Sequence, residues 1–253
     1  MLKEWREDLY ISFVFLTRLP LPVRQDVDQA GFTRALRLSP VVGAFVGAVG
    51  GSFYWLGLSF NLSSFLSALI GVAATLLLTG GLHEDGLSDT MDGFSGGWNR
   101  ERRLQIMSDS HIGAHGAIAL LLAILIRVGC IAQLSNPVAV MSALITAGAL
   151  SRAVMYGAMG LLPPARNEGL GHSAGRPAPD RQLVTLALGF FIAILALPFD
   201  TAIAASLAAL LGGICLGMMA KRKIGGHTGD ILGALQVISE LFVLACLASA
   251  LTD

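Results

Sequence analysis

Apolar runs of about 15 to 25 residues alternate along this chain with short charged or glycine-rich segments, a pattern that predicts membrane-spanning helices. Within residues 4–17, Trp5, Leu9, Phe13 and Leu16 recur at spacings of four and three behind Glu4, Arg6, Glu7 and Asp8. This is an amphipathic N-terminal helix, which either lies on the membrane surface or packs on the bundle. Pro20 and Pro22 end it, and a polar link with Arg24, Asp26, Asp28, Arg34 and Arg37 leads on. Seven spans follow, at residues 40–60, 62–80, 115–134, 138–162, 183–197 and 201–220, and from the 221–230 loop to about residue 251. At 1.5 Å per residue these lengths suit a hydrocarbon core of about 30 Å, the shorter ones needing tilt or a thin setting. Gly43 and Gly47 form a small-xxx-small pair that lets helices approach closely. The fold class is therefore all-α, a polytopic membrane helical bundle of about seven transmembrane helices with an amphipathic N-terminal helix, and residues 1–253 read as one integral-membrane catalytic domain.

Composition agrees. A chain that is 54% hydrophobic and 13% charged, with mean hydropathy +0.70, is too apolar for an ordinary soluble domain. Lys+Arg and Asp+Glu both number 17, but the resulting zero net charge hides a spatial bias. The N-terminus and the loops at 81–113, 163–181 and 221–230 fall on one face, whereas the opposite turns near 61, 136 and 199 hold no Lys or Arg. The positive-inside rule makes the basic face cytoplasmic. All five histidines, His83, His111, His115, His172 and His227, gather on that face or at its edge. No nucleic-acid-binding motif is visible. Cys130, Cys215 and Cys246 lie in apolar runs and read as packing residues, and the N-terminus lacks the shape of a cleaved signal peptide.

The chemistry concentrates in residues 81–97, where Glu84, Asp85, Asp89 and Asp92 fall within nine positions at the end of an apolar span. Carboxylates this dense at a membrane edge repel each other and need a cation. Asp85, Asp89 and Asp92 stand at i, i+4 and i+7, one side of a helix, a row that suits a hard cation such as Mg²⁺, which takes few protein carboxylates and completes its shell with water and substrate phosphate. Gly86 and Gly93 interrupt helix propensity there without evident gain. Asp109 and Asp230 either complete the acidic shell or cap the helices that follow them. Arg127 and Arg152, inside the third and fourth spans, must face the bundle interior or a wet cavity, and Glu240, the intramembrane carboxylate of the last span, is a candidate partner. Arg166 near Gly169-Leu170-Gly171, and Lys221 to Lys223 near Gly225-Gly226, combine cations with glycine loops able to bind phosphate. His83, beside Glu84, is the best histidine for ligation or proton transfer.

Several of these segments together resemble the cobalamin-5′-phosphate synthase family (adenosylcobinamide-GDP ribazoletransferase). They are residues 81–93 (Gly-Leu-His-Glu-Asp-Gly-Leu-Ser-Asp-Thr-Met-Asp-Gly) and 107–116 (Met-Ser-Asp-Ser-His-Ile-Gly-Ala-His-Gly), then Ser151-Arg152, Arg166 with 169–171, and Gly225-Gly226-His227-Thr228-Gly229-Asp230 with Gly233-Ala234. Two positions depart from the family pattern: Glu84 stands where an apolar residue is usual, and His111 where arginine is usual. The resemblance implies the last assembly step of the cobamide nucleotide loop in a bacterial inner membrane. A phosphoryl-cobinamide unit would pass from adenosylcobinamide-GDP to α-ribazole at its 5′-hydroxyl, or to the 5′-phosphate form of α-ribazole, with release of GMP and with magnesium as cofactor. On this reading Asp85, Asp89 and Asp92 bind Mg²⁺, and one of them or His83 accepts the hydroxyl proton. Asp109, His111, Arg152, Arg166, Lys221, Lys223, His227 and Asp230 contact substrate. Implied partners are the two substrates and the lipid bilayer but no nucleic acid, and a homo-oligomer is left open. Without the resemblance the residues also admit another Asp-motif membrane phosphotransferase or prenyltransferase, or, given Arg127, Arg152 and Glu240 in the bundle, a secondary transporter.

Overall fold

The computed structural model describes residues 2–23, 27–166, 169 and 174–250. Arg24, Asp26, Leu170, Gly171 and His172 lie outside them. Among the described residues the chain forms α1 (Leu2–Leu16), α2 (Gln29–Ala35), a 3-10 turn (Leu36–Leu38), α3 (Ser39–Ser59), α4 (Ser64–Thr79), α5 (Leu82–Gly96) and α6 (Arg100–Ile106). It continues as α7 (Ala114–Leu134), α8 (Pro137–Leu161), α9 (Pro179–Ala196), α10 (Phe199–Ile224) and α11 (Gly229–Ala250).

Six helical stretches, α2–α3 taken as one, α7, α8, α9, α10 and α11, are each long and apolar enough to cross a membrane. The expected span at residues 62–80 is α4, which qualifies only together with α5, the acidic stretch that follows it, and the pair is bent by 91°. The bend follows from Gly80 and Gly81, whose φ angles of 67° and 66° place two consecutive residues in the left-handed region that side chains disfavour. The acidic stretch is therefore a helix turned across its predecessor.

Helix α11 is the axis of the bundle, packing against α5, α7, α8 and α10. The α3–α8 pairing is the most extensive, and its backbones nearly touch: a Cβ on Gly43 would stand 2.0 Å from the carbonyl oxygen of Gly148, and one on Gly47 2.1 Å from that of Leu144. The small pair therefore performs the close approach expected of it. Outer faces carry exposed leucines and isoleucines such as Leu121, Leu125, Leu207 and Ile214, in keeping with a lipid surround.

Of the two placements open for the N-terminal helix, the structure has it packed on the bundle. Leu16 is buried, Phe13 meets the ring of Phe45 edge-on at 5.2 Å, and Asp8, fully buried, pairs with Arg34 at 3.1 Å and Arg37 at 2.9 Å. Residues 98–113, expected as a plain loop, contain α6, whose N-cap Asn99 accepts a hydrogen bond from the Arg102 N–H.

Candidate functional site

Helix α5 lies against α11 at a distance only glycine permits. A Cβ on Gly86 would stand 2.7 Å from the Asp230 carbonyl oxygen, and one on Gly233 3.2 Å from His83 Cα. A Cβ on Gly93 would strike Met107 at 2.4 Å. The two glycines of α5 thus have a structural gain that local propensity does not reveal, since they set the helix against its neighbours.

The four carboxylates of this helix divide into two kinds. Glu84 accepts a hydrogen bond from Arg127 at 2.6 Å, and the other end of that guanidinium donates to Glu240 at 3.1 Å. The Gln236 amide donates to the same Glu240 oxygen at 2.6 Å. At the opposite end of α5, Asp92 accepts from the backbone N–H groups of Gly113 at 2.7 Å and Gly116 at 2.9 Å. Both of its oxygens thereby satisfy free donors at the start of α7, where a carboxylate also complements the helix dipole. Asp85 and Asp89, one turn apart between these two anchors, have no hydrogen-bond or ion-pair partner among the described residues. Asp89 feels the charges of Asp85, Asp230 and Asp92, opposed by Arg166.

The loops facing α5 are stapled together by backbone and arginine contacts. Residues 163–165 and 227 form a short bridge, with the Ala165 N–H donating to the His227 carbonyl and the His227 N–H to that of Pro163, both at 2.8 Å. Arg100 donates to the carbonyls of Ile224 at 2.8 Å and Ala165 at 2.7 Å, and Arg103 to those of Gly97 at 2.9 Å and Lys223 at 3.0 Å. Arg166 donates to the Leu104 carbonyl. Apart from Gly97, the carbonyls that Arg100 and Arg103 reach lie more than sixty residues away in the chain, and nothing in local spacing signals them.

Between α5, these loops and the start of α11 lies a cavity of about 200 Å³. Its polar lining is His83, Asp85, Arg166, His227, Thr228 and Asp230. His83 is 3% exposed with Nε2 unpartnered, and His227 is 1% exposed with neither ring nitrogen partnered. Burial holds the His227 pKa below the ordinary imidazole value, so the ring is neutral, with one nitrogen able to donate and one to accept. Thr228 Oγ1 accepts from the Ile231 N–H at 3.3 Å and donates to Asp230 at 3.1 Å. Thr228 therefore takes the capping role considered for Asp230, which leaves the Asp230 carboxylate in the cavity wall.

Other predicted residues lie elsewhere. Asp109 and His111 bind each other at 2.6 Å on the surface, with side chains 57% and 89% exposed. Their contact raises the His111 pKa and lowers that of Asp109. Arg152 is buried beside the Arg127 network, donates to the Gly148 carbonyl at 3.2 Å, and with His83 borders a space of about 20 Å³, room for about one water. Lys223 donates to the Phe94 carbonyl at 2.8 Å, and Lys221 borders an apolar groove. Among the described residues no three His, Cys, Asp or Glu side chains are gathered as a ready metal shell.

The model of the cobalamin-5-phosphate synthase family matches residues 8–248. Adenosylcobinamide-GDP ribazoletransferases are similar across nearly their whole length. The Mesorhizobium japonicum protein is 42% identical, over 98% of this chain and 95% of its own. The Bradyrhizobium diazoefficiens protein is 40% identical, over 96% and 93%, and that of Ralstonia nicotianae 38%, over 96% and 95%. No solved structure matches. Agreement this complete, on a chain whose bundle brings His83, Asp85, Gly86, Arg166 and residues 227–230 around one cavity, means that this protein is a transferase belonging to the cobalamin-5-phosphate synthase family.

Proposed function

We propose that the chain joins adenosylcobinamide-GDP to α-ribazole, or to its 5′-phosphate, and releases GMP. The names of the relatives support these substrates. The observation that carries the site assignment is the pair Asp85 and Asp89, without hydrogen-bond or ion-pair partners among the described residues, beside Asp230 and Arg166, while both neighbouring carboxylates of α5 are committed.

This donor set fits Mg²⁺. Its oxygens are hard, and a pair of carboxylates without a completed shell suits an ion that keeps waters and shares the substrate's phosphates. Asp85 and Asp89 would hold it. Bound there, Mg²⁺ supplies neutralisation of the pyrophosphate oxygens during phosphoryl transfer. Arg166 carries the cationic support from the facing loop. A free ribose hydroxyl of α-ribazole, one that stays available when the 5′ position carries a phosphate, forms a bond through its oxygen to the phosphorus nearest cobinamide, and the bond from that phosphorus to the bridging oxygen breaks, so GMP leaves with the electron pair. The hydroxyl proton passes to a wall residue, for which His83 and the cavity carboxylates are the candidates. A cavity of about 200 Å³ lies below the roughly 300–1,000 Å³ of a pocket that engulfs its ligand, so it encloses the reacting phosphates while the corrinoid stays outside. The positive-inside distribution supports a cytoplasmic position for this end, in a bacterial inner membrane. Arg127 and Glu240, which motivate the transporter alternative, are bound to each other and to Glu84 inside the bundle.

The test is purified protein in vesicles with adenosylcobinamide-GDP, α-ribazole and Mg²⁺, monitored for GMP. Asp85→Asn and Asp89→Asn should each cut the rate by at least a hundredfold, about 2.7 kcal/mol of barrier. Full Mg²⁺-dependent GMP release in both variants would show the site to be misplaced, and a product without the cobamide linkage would favour another phosphotransferase.

A further inference from the structure

Outside the site, α8, α9 and α10 enclose a second cavity of about 240 Å³. Its walls include Val154, Leu186, Leu210, Ile214 and Met218, and Lys221 is the one charged residue that lines it among the described residues. Leu186, Leu210, Ile214 and Met218 are also exposed on the outer surface, so the cavity is a groove open to whatever surrounds the bundle. Along α10, the stretch from Leu210 to Lys221 rises about 16 Å, close to half of a hydrocarbon core of about 30 Å. The groove therefore has the depth of one leaflet, with an apolar floor and an exposed cation at its mouth. Arg222, also exposed, adjoins that mouth.

We propose that this groove holds an acyl chain of an anionic phospholipid from the leaflet at the catalytic end of the bundle, with the headgroup phosphate on Lys221. Depth and charge both select this occupant. A second copy of the chain would bury Lys221 without supplying a counter-charge of known position, whereas a phospholipid carries its phosphate at the level where the acyl chain begins. The lipid would fill the gap between α8, whose Met155 and Met159 wall the catalytic cavity, and α10, which ends at the loop bearing His227.

Two glycines allow the groove to be filled without disturbing the backbone. A Cβ on Gly157 would meet only Leu186 Cδ2 at 3.9 Å, and one on Gly217 only Leu162 Cδ1 at 3.8 Å. Protein extracted from mixed phosphatidylglycerol and phosphatidylcholine vesicles would be examined by native mass spectrometry for retained lipid, with a thermal melt confirming that each variant is folded. The wild type should retain phosphatidylglycerol in preference. Lys221→Gln should reduce that preference about fivefold, the effect of about 1 kcal/mol per basic residue at a membrane surface. Gly157→Leu and Gly217→Leu should reduce retention of both lipids. Folded leucine variants that keep the wild-type lipid complement would overturn the proposal. Loss of a dimer in those variants with lipid retention unchanged would also overturn it, assigning the groove to contact between copies.

Discussion

Replacing Arg127 by methionine should destabilise the bundle sharply, and by an amount that depends on which carboxylates remain. The guanidinium is 3% exposed and spans Glu84 and Glu240 at 2.6 and 3.1 Å. Arg152, 2% exposed, adds a second buried cation to the same region, so two positive charges face two negative ones. Arg127→Met keeps most of the side-chain volume but leaves one negative charge in excess where water is scarce. Removing one member of a buried pair costs about 3–5 kcal/mol. At about 2–4 °C per kcal/mol for a chain of this size, the melting temperature should fall by about 6–20 °C. Arg127→Met with Glu84→Gln restores the balance, because Arg152 then faces Glu240 alone, and should recover at least half of the loss. Adding Glu240→Gln reverses the gain, since Arg152 is left as an uncompensated cation. Stability should thus rise from the single to the double variant and fall again in the triple. Thermal unfolding in one detergent, followed by tryptophan fluorescence, measures the series. A triple variant at least as stable as the double would refute the charge-balance argument and leave only the volume and hydrogen bonds of Arg127 to explain the single change.

Gly86→Ala should destabilise by about 1–3 kcal/mol despite the better helix propensity of alanine, because its Cβ meets the Asp230 carbonyl; Gly129→Ala, with open space at its Cβ, should be neutral or stabilising in the same melt. Magnesium at a hundred times its dissociation constant should stabilise the wild type by about 2.7 kcal/mol; the gain should vanish with a chelator or in Asp89→Asn, and an unchanged gain in that variant would exclude Asp89 as a ligand. Because burial depresses the His227 pKa, the folded state binds that proton less readily than the unfolded state. Stability should therefore fall as pH drops through the unfolded value of about 6.5 towards the depressed folded one, and His227→Gln should flatten that part of the stability curve against pH.

Residue types and spans were legible in the chain; the partners of the charged residues were not. Asp8 could be placed on a helix, but its buried partners Arg34 and Arg37 lie more than twenty residues on, and no periodicity links them. The density of carboxylates at 84–92 pointed to a site, yet which of them remain available depends on Arg127, Gly113, Gly116 and Glu240, contributed by other helices. In Thr228-Gly229-Asp230 two side chains are chemically fit to cap a helix, and only the backbone geometry selects Thr228. Arg152 was placed among phosphate contacts because a buried arginine needs an anion; the structure puts it beside Glu84 and Glu240, anions already within the bundle. Local pattern reports what a residue is able to do, and tertiary contact decides which of those abilities is used.

The arrangement of α5 explains how two carboxylates, unpaired among the described residues, persist at the edge of a membrane protein. Side chains one turn apart are about 5–6 Å from each other. Two charges at that distance repel by about 3 kcal/mol at an effective dielectric of 20, and by less where water reaches them. Left to itself, a helix end bearing Asp85 and Asp89 would relieve this strain by turning outward. Here it is held at both ends by the carboxylates that look most like additional ligands: Glu84 is tied to Arg127 in α7, and Asp92 to the first N–H groups of that same helix. Between these anchors, Gly86 locks the helix against α11 and brings Asp85 and Asp89 near Asp230 and Arg166. The outer pair supplies position and the inner pair is left for the cation and phosphates. Mutation of an outer carboxylate should consequently lower activity together with stability, whereas mutation of an inner one should lower activity alone.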